Sequence, residues 1–230
     1  MTELATLTSP EAGKLATAGA LLAVPVGATE QHGPHLPLST DTDLAVALCA
    51  RLAAARPGVL AAPPVAYGAS GEHQDFPGTL SIGTEAVELL LVELCRSATR
   101  TFSRVLLVST HGGNAEPARR AERRLRAESR DVLAWLPYGE GDAHAGRAET
   151  SLELALAPDR VRPGRAAAGN TRPLTELMPQ LRRSGVRAVS PNGVLGDPAG
   201  ASAAEGAALL RRLLAGLLAA VDAWEASQTS

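Results

Sequence analysis

Residues 20–41 read ALLAVPVGATEQHGPHLPLSTD, an apolar run of strand length followed by a polar loop that brings Glu30, His32, His35 and Asp41 within twelve residues. In an extended chain, residues two apart leave the same face, so Glu30 and His32 can converge on one site. Asp41 falls where the next helix should begin. A carboxylate there can bridge two cations, and the cluster has no thiolate, so Zn²⁺, Fe²⁺ or Mn²⁺ suits it better than a structural zinc does. His35 points away from the Glu30 and His32 face if the chain stays extended, which fits a residue that supports a ligand rather than one that binds.

Outward from this stretch, strand-length apolar segments alternate with segments of helical period, the pattern of a mostly parallel sheet covered on both faces. Strands are expected at 20–26, 59–62, 104–109 and 132–136. Helices are expected at 43–55, 84–102, 148–156 and 201–224, with Asn114 capping another after the third strand. Residues 160–198 are rich in Gly, Pro and Arg and read as a long excursion with little periodicity. No repeat or composition shift divides the chain, so one three-layer α/β/α domain over 1–230 is expected.

In such folds ligands gather at the carboxyl ends of the strands, and the polar motifs here all follow strands. His111 lies in THGGN (110–114), where Gly112 and Gly113 allow a tight turn and close approach to a ligand. The plainer alternative is a Gly-rich turn capped by Asn114. Residues 141–151, GDAHAGRAETS, hold Asp142, His144 and Glu149, which suit proton transfer or metal ligation. Alternatively Glu149 only complements a helix dipole, and Asp142 is a turn residue. The loop at 67–79 adds Glu72 and His73, which can contact substrate or complete the pocket wall.

Composition narrows the functional classes. A net charge of −2 leaves no electrostatic footprint for nucleic acid, and the basic run at 119–130 reads as a solvated helix face with Glu116–Arg120 and Glu122–Arg126 spaced i,i+4. Cys49 and Cys95 are far apart, in apolar helical patterns, and read as buried reduced thiols of a cytoplasmic protein. Residues 1–20 lack the pattern of a signal peptide, and the apolar run at 213–221 is too short to span a bilayer. GxSxG, GxGxxG and GxxxxGK[ST] signatures are absent, and neither cysteine lies near a His-bearing loop, which leaves nucleophilic serine, thiol and nucleotide chemistry without support.

The pattern ExHGxHLPLxTD (30–41), then HGGN (111–114), then HAGxxETS (144–151) resembles the creatininase family of metal-dependent amidohydrolases. Within the family, YGASGEHQDFPGTLSIGTEA (67–86) and VSPNGVLGDPAGASAAEG (189–206) look most like the mycofactocin branch, peptidases that trim a C-terminal Val-Tyr dipeptide from a modified precursor peptide. The resemblance implies two divalent ions per subunit (Fe²⁺ or Zn²⁺, with Mn²⁺ also admitted). Glu30, Asp41 and His111 would hold one ion, and His32 and the bridging Asp41 the other, with His144 as the catalytic histidine.

Creatininase itself carries an aromatic residue and a ligating Glu where this chain has Gly112 and Gly113, so Glu149 is the expected replacement ligand, with a share in catalysis. Its substrate-closing tryptophan is also missing, because Gly139, Glu140 and Gly141 occupy that stretch. Glu72, His73, Gly112 and Gly113 are expected to meet a substrate larger than creatinine. Arg172 or backbone N–H groups near Gly112 and Gly113 would take a peptide carboxylate. The resemblance also implies a homo-oligomer, a hexamer in the family. The alternatives are a hydrolase of cyclic amides or formamides and a non-catalytic scaffold of a maturation complex, against which the intact ligand set argues.

Overall fold

The computed structural model describes residues 3–137 and 141–227. Four strands, β1 (Leu21–Val26), β2 (Val59–Ala61), β3 (Arg104–Ser109) and β4 (Asp131–Trp135), form one sheet in the order β2-β1-β3-β4. Every pairing is parallel, with Leu21 opposite Val59 and Arg104, and Arg104 opposite Asp131. The sheet is therefore wholly parallel.

Side-chain alternation along the strands builds two cores. Leu22, Val24 and Val26 of β1 and Val105 and Leu107 of β3 face α3 (Thr84–Ala98) and α4 (Ala115–Ala127), which contribute Val87, Leu91, Ala118 and Leu125. Leu21 and Ala23, with Leu106 and Val108, face α2 (Thr40–Ala55), α5 (Arg147–Leu156) and α7 (Ala203–Ala226), which contribute Leu48, Leu52, Leu152 and Leu217. Cys95 lies in the first core and Cys49 in the second, both free and buried, so the sheet separates the two thiols.

Several expectations need correction. The helix begun at 84 ends at Ala98, where the Thr99 hydroxyl donates to the Cys95 carbonyl at 2.7 Å, and Phe102 turns into the core. A short N-terminal helix, α1 (Ser9–Thr17), was not expected; Thr8 and Glu11 close a capping box at its start. The excursion at 160–198 contains α6 (Leu174–Ser184). Its Leu174, Leu177, Met178 and Leu181 recur at helical spacing, a signal obscured by Pro179 inside the helix.

Asn114 makes no cap: its side-chain oxygen accepts from the Ala69 N–H at 2.9 Å and its amide donates to the Gly27 carbonyl at 2.8 Å, joining three loops. Arg126 pairs with Glu122 as expected, at 3.1 Å, whereas Arg120 pairs across to Glu88 of α3 at 2.6 Å. Among the described residues no helix is long and apolar enough to cross a membrane.

Candidate metal centre

Parallel strands end on one side of the sheet, and the loops there carry the polar residues. Glu30 and His32 follow β1, His73 follows β2 and His111 follows β3. Asp41 stands in the first turn of α2, while His144 and Glu149 flank the start of α5. All are buried except Glu149, which is partly so. Thr42 fixes the start of α2 by donating to the Ala28 carbonyl at 2.9 Å, and Thr110 donates to the Asp41 carbonyl at 2.7 Å.

Two groupings could each accept a cation: Glu30, Asp41 and His111, and His32, His144 and Glu149. His111 Nε2 lies 3.3 Å from Glu30 Oε2, and its Nδ1 lies 3.5 Å from Asp41 Oδ2. His32 Nε2 stands between Asp41 Oδ1 at 3.7 Å and Glu149 Oε2 at 3.8 Å. Backbone carbonyls select the tautomers. His32 Nδ1 donates to the Glu30 carbonyl at 3.2 Å, leaving Nε2 toward the carboxylates, while His111 Nε2 donates to the Ala69 carbonyl at 3.0 Å, leaving Nδ1 toward Asp41.

A third grouping, Glu30, His73 and His144, involves a residue expected to meet substrate. The Gln31 amide donates to the Gly193 carbonyl at 3.0 Å and to His73 Nδ1 at 2.7 Å. With Nδ1 accepting from Gln31, His73 carries its proton on Nε2, which faces Glu30 Oε1 at 3.5 Å without a hydrogen bond. Gln31 is a residue that the sequence reading missed, because an isolated Gln carries no motif. His144 Nε2 donates to the Gln31 carbonyl at 2.7 Å, leaving Nδ1 as an acceptor 3.7 Å from Glu30 Oε1. Backbone pairing of His144 with Leu195 fixes this loop, which explains the GVLGDP segment.

The electrostatics match a cation site. Burial raises the Glu30 carboxyl to about 7, against the pull of His111. Burial opposes charge on His32, but Asp41, Glu149 and Glu30 outweigh it and raise the imidazole to about 10. Burial and the neighbouring histidines hold His73 down to about 3 and His144 well below its usual range. Both Glu30 oxygens, His32 Nε2 and Asp41 Oδ2 are buried without a hydrogen-bond partner. Unpaired buried carboxylates are costly, and divalent cations would supply the missing partners. Carboxylates and imidazoles without thiolates fit Mn²⁺, Zn²⁺ or Fe²⁺.

The remaining expected residues fall around this cluster. A Cβ at Gly113 would overlap the Ala69 carbonyl and the His111 ring, so this position admits no ligating side chain, whereas Gly112 opens to free space. Glu149 accepts from the Ala145 N–H at 2.6 Å while facing His32, and so supplies the carboxylate of the second grouping. Asp142 instead accepts from the first N–H of α5, at Arg147, at 2.6 Å, the turn role. His35 donates to or accepts from the Thr150 hydroxyl at 2.9 Å, outside all three groupings. Arg172 pairs at the surface with Glu176 of α6 at 3.0 Å and is not among the residues lining the cavity beside the cluster. Gly139 and Glu140, in the stretch of the missing tryptophan, lie outside the described residues.

Comparison with known proteins agrees with this geometry. The creatininase model, described as creatinine amidohydrolase, matches residues 5–221. The mycofactocin precursor peptide peptidase of Mycobacterium ulcerans (strain Agy99) is 49% identical over 232 residues, 96% of this chain and 91% of that protein. Its namesake from Mycolicibacterium smegmatis is 50% identical over 212 residues, 89% of this chain and 85% of that one. Creatinine amidohydrolase of Pseudomonas putida is 34% identical over 182 residues, covering 64% and 68%.

The crystal structure of creatinine amidohydrolase superposes with a TM-score of 0.80 at 29% identity, covering 96% of both chains. Another creatininase structure, with a TM-score of 0.78, 29% identity and 96% and 97% coverage, is a manganese form. A mutant creatininase of Zn-Zn type, also at 0.78 and 29%, covers 95% and 96%. The chain belongs to the creatininase family of hydrolases.

Proposed function

We propose that this hydrolase is a metal-dependent peptidase that releases the C-terminal Val-Tyr dipeptide from the modified mycofactocin precursor peptide, in the cytoplasm, as a homo-oligomer. The observation that carries the reading is 49% identity over 96% of the chain with a relative of that name, with every expected ligand present. The open flank at Gly112 supports a substrate larger than creatinine, since cavities of about 850 and 890 Å³ both reach that residue.

Two divalent ions are proposed, one with Glu30, Asp41 and His111, the other with His32, Asp41 and Glu149. Bound there, such ions make water acidic enough to attack at neutral pH and polarise the scissile carbonyl. His144, kept neutral by burial and its neighbours, offers Nδ1 to take a proton and pass it to the leaving nitrogen. His73, its Nε2–H facing Glu30, lines the cavity that would take the peptide. Gln31 maintains both imidazoles in these tautomers.

The test is mass spectrometry of the modified precursor peptide after incubation with metal-loaded enzyme, with unmodified peptide and creatinine alongside. Loss of one C-terminal dipeptide from the modified peptide is expected. Turnover of creatinine with the peptide intact would favour the second reading, a cyclic-amide hydrolase, for which the Pseudomonas putida relative speaks.

A further inference from the structure

Two cavities adjoin the cluster, and their charged residues differ. The larger, about 890 Å³, is lined by Glu30, His111 and His144 and also by α6. From α6 it receives Leu174, Met178 and Leu181 together with Arg182 and Arg183. Leu174 is 43% exposed, an uncovered apolar side chain on this wall. Met178 can adapt to an aromatic or aliphatic neighbour.

Among the described residues neither Arg182 nor Arg183 has a carboxylate partner, although the nearby arginines do have partners. Arg172 pairs with Glu176, and Arg187 donates to the Asp75 carbonyl at 2.5 Å and lies 5.3 Å over the Phe76 ring. In the smaller cavity, Arg123 lies 3.8 Å from Glu116, and Arg119 acts on Glu122. Two basic residues in the last turn of a helix would by themselves only offset its dipole. Here they also border a cavity that reaches the metal ligands, beside an apolar wall. Glu72 and Asp75 line the same cavity and leave peptide N–H groups with acceptors.

Resting on the peptidase reading, we infer that this cavity is the leaving-group subsite. Arg182 and Arg183 hold the free C-terminal carboxylate of the peptide, and Leu174, Met178 and Leu181 contact an apolar or aromatic terminal side chain. Guanidinium groups suit this task because they donate to both carboxylate oxygens at once. Selection for the chain terminus would then come from α6 rather than from the metal ligands.

The experiment measures binding of the dipeptide Val-Tyr and of its C-terminal amide to the metal-loaded enzyme by calorimetry, and cleavage of the precursor in parallel. Wild type is expected to bind the free acid roughly tenfold more tightly than the amide, as for partly exposed charge-assisted contacts. The double variant Arg182→Ala/Arg183→Ala should bring the two within about twofold, and Arg182→Lys/Arg183→Lys should keep part of the preference. A preference absent from wild type, or unchanged in the alanine variant with metal content intact, would overturn the assignment. Arginine-dependent binding of the acid without cleavage of the precursor would uphold the subsite and sink the peptidase reading instead.

Discussion

The candidate ligand cluster and the α6 wall line one cavity, yet they are built on different principles. The cluster hangs from strand ends, is buried, and has each imidazole oriented by a backbone carbonyl or by Gln31. The α6 wall stands on a 39-residue excursion, and its arginines are exposed. The difference separates the chemistry, which needs fixed geometry, from selection of the substrate, which a surface helix can change without disturbing the ligands.

The sharpest break in this contrast comes from the cluster. Asp41→Ala is expected to lower metal content and to cut kcat/KM by about 10³-fold or more, because several kcal/mol of charge stabilisation go with it. Metal analysis and single-turnover peptide cleavage on one preparation check both effects. Gly113→Glu tests whether the carboxylate that creatininase carries can be restored. Since any Cβ there overlaps the Ala69 carbonyl and the His111 ring, it should weaken metal binding and lower Tm, as differential scanning calorimetry would read; improved metal affinity would contradict the packing argument.

His144→Ala should retain the metal while kcat falls roughly 10²- to 10⁴-fold, the range for loss of a positioned acid or base. Full activity would remove the proton-transfer role. The smallest effect is on stability in the metal-free protein. His32 has a folded pKa raised to about 10 against 6.5 unfolded, so the stability it contributes is complete below about 6.5 and lost as pH rises toward 10. Burial raises both thiols, Cys95 to about 12, and acts in the same direction at the alkaline end. Stability of the metal-free protein, and its Tm with it, should therefore fall from pH 7 to pH 10, by up to about 1.4 kcal/mol per pH unit from His32 alone. The metal-loaded protein, with His32 committed as a ligand, should show a flatter profile over the same range.

The contrast also explains what was legible in the sequence. Glu30, His32, Asp41 and His111 could be read because strand ends in a parallel sheet converge, so position after a strand already implies position in space. β1 and β2 were legible because they are buried on both faces and apolar throughout, and β3 because it is so after Arg104; β4, half-buried apart from Val132, was legible from its apolar run alone. Gln31 and the tautomer of His73 were not legible, since they depend on a carbonyl, Gly193, that lies far along the chain. The helix α6 was obscured because Pro179 and the flanking Gly and Arg residues outweighed a four-residue apolar period. Asn114 looked like a cap from its position alone, while its actual partners lie 45 and 87 residues away.

The measurement closest to the central proposal is a count of bound metal by native mass spectrometry for wild type and Glu149→Gln, with peptide cleavage assayed on the same samples. If the cluster holds two ions and Glu149 stands in for the carboxylate that Gly113 cannot provide, wild type should carry two per chain. Glu149→Gln should keep the ion of Glu30, Asp41 and His111, lose the other, and cease to release the dipeptide. Two ions and undiminished cleavage in Glu149→Gln would contradict it.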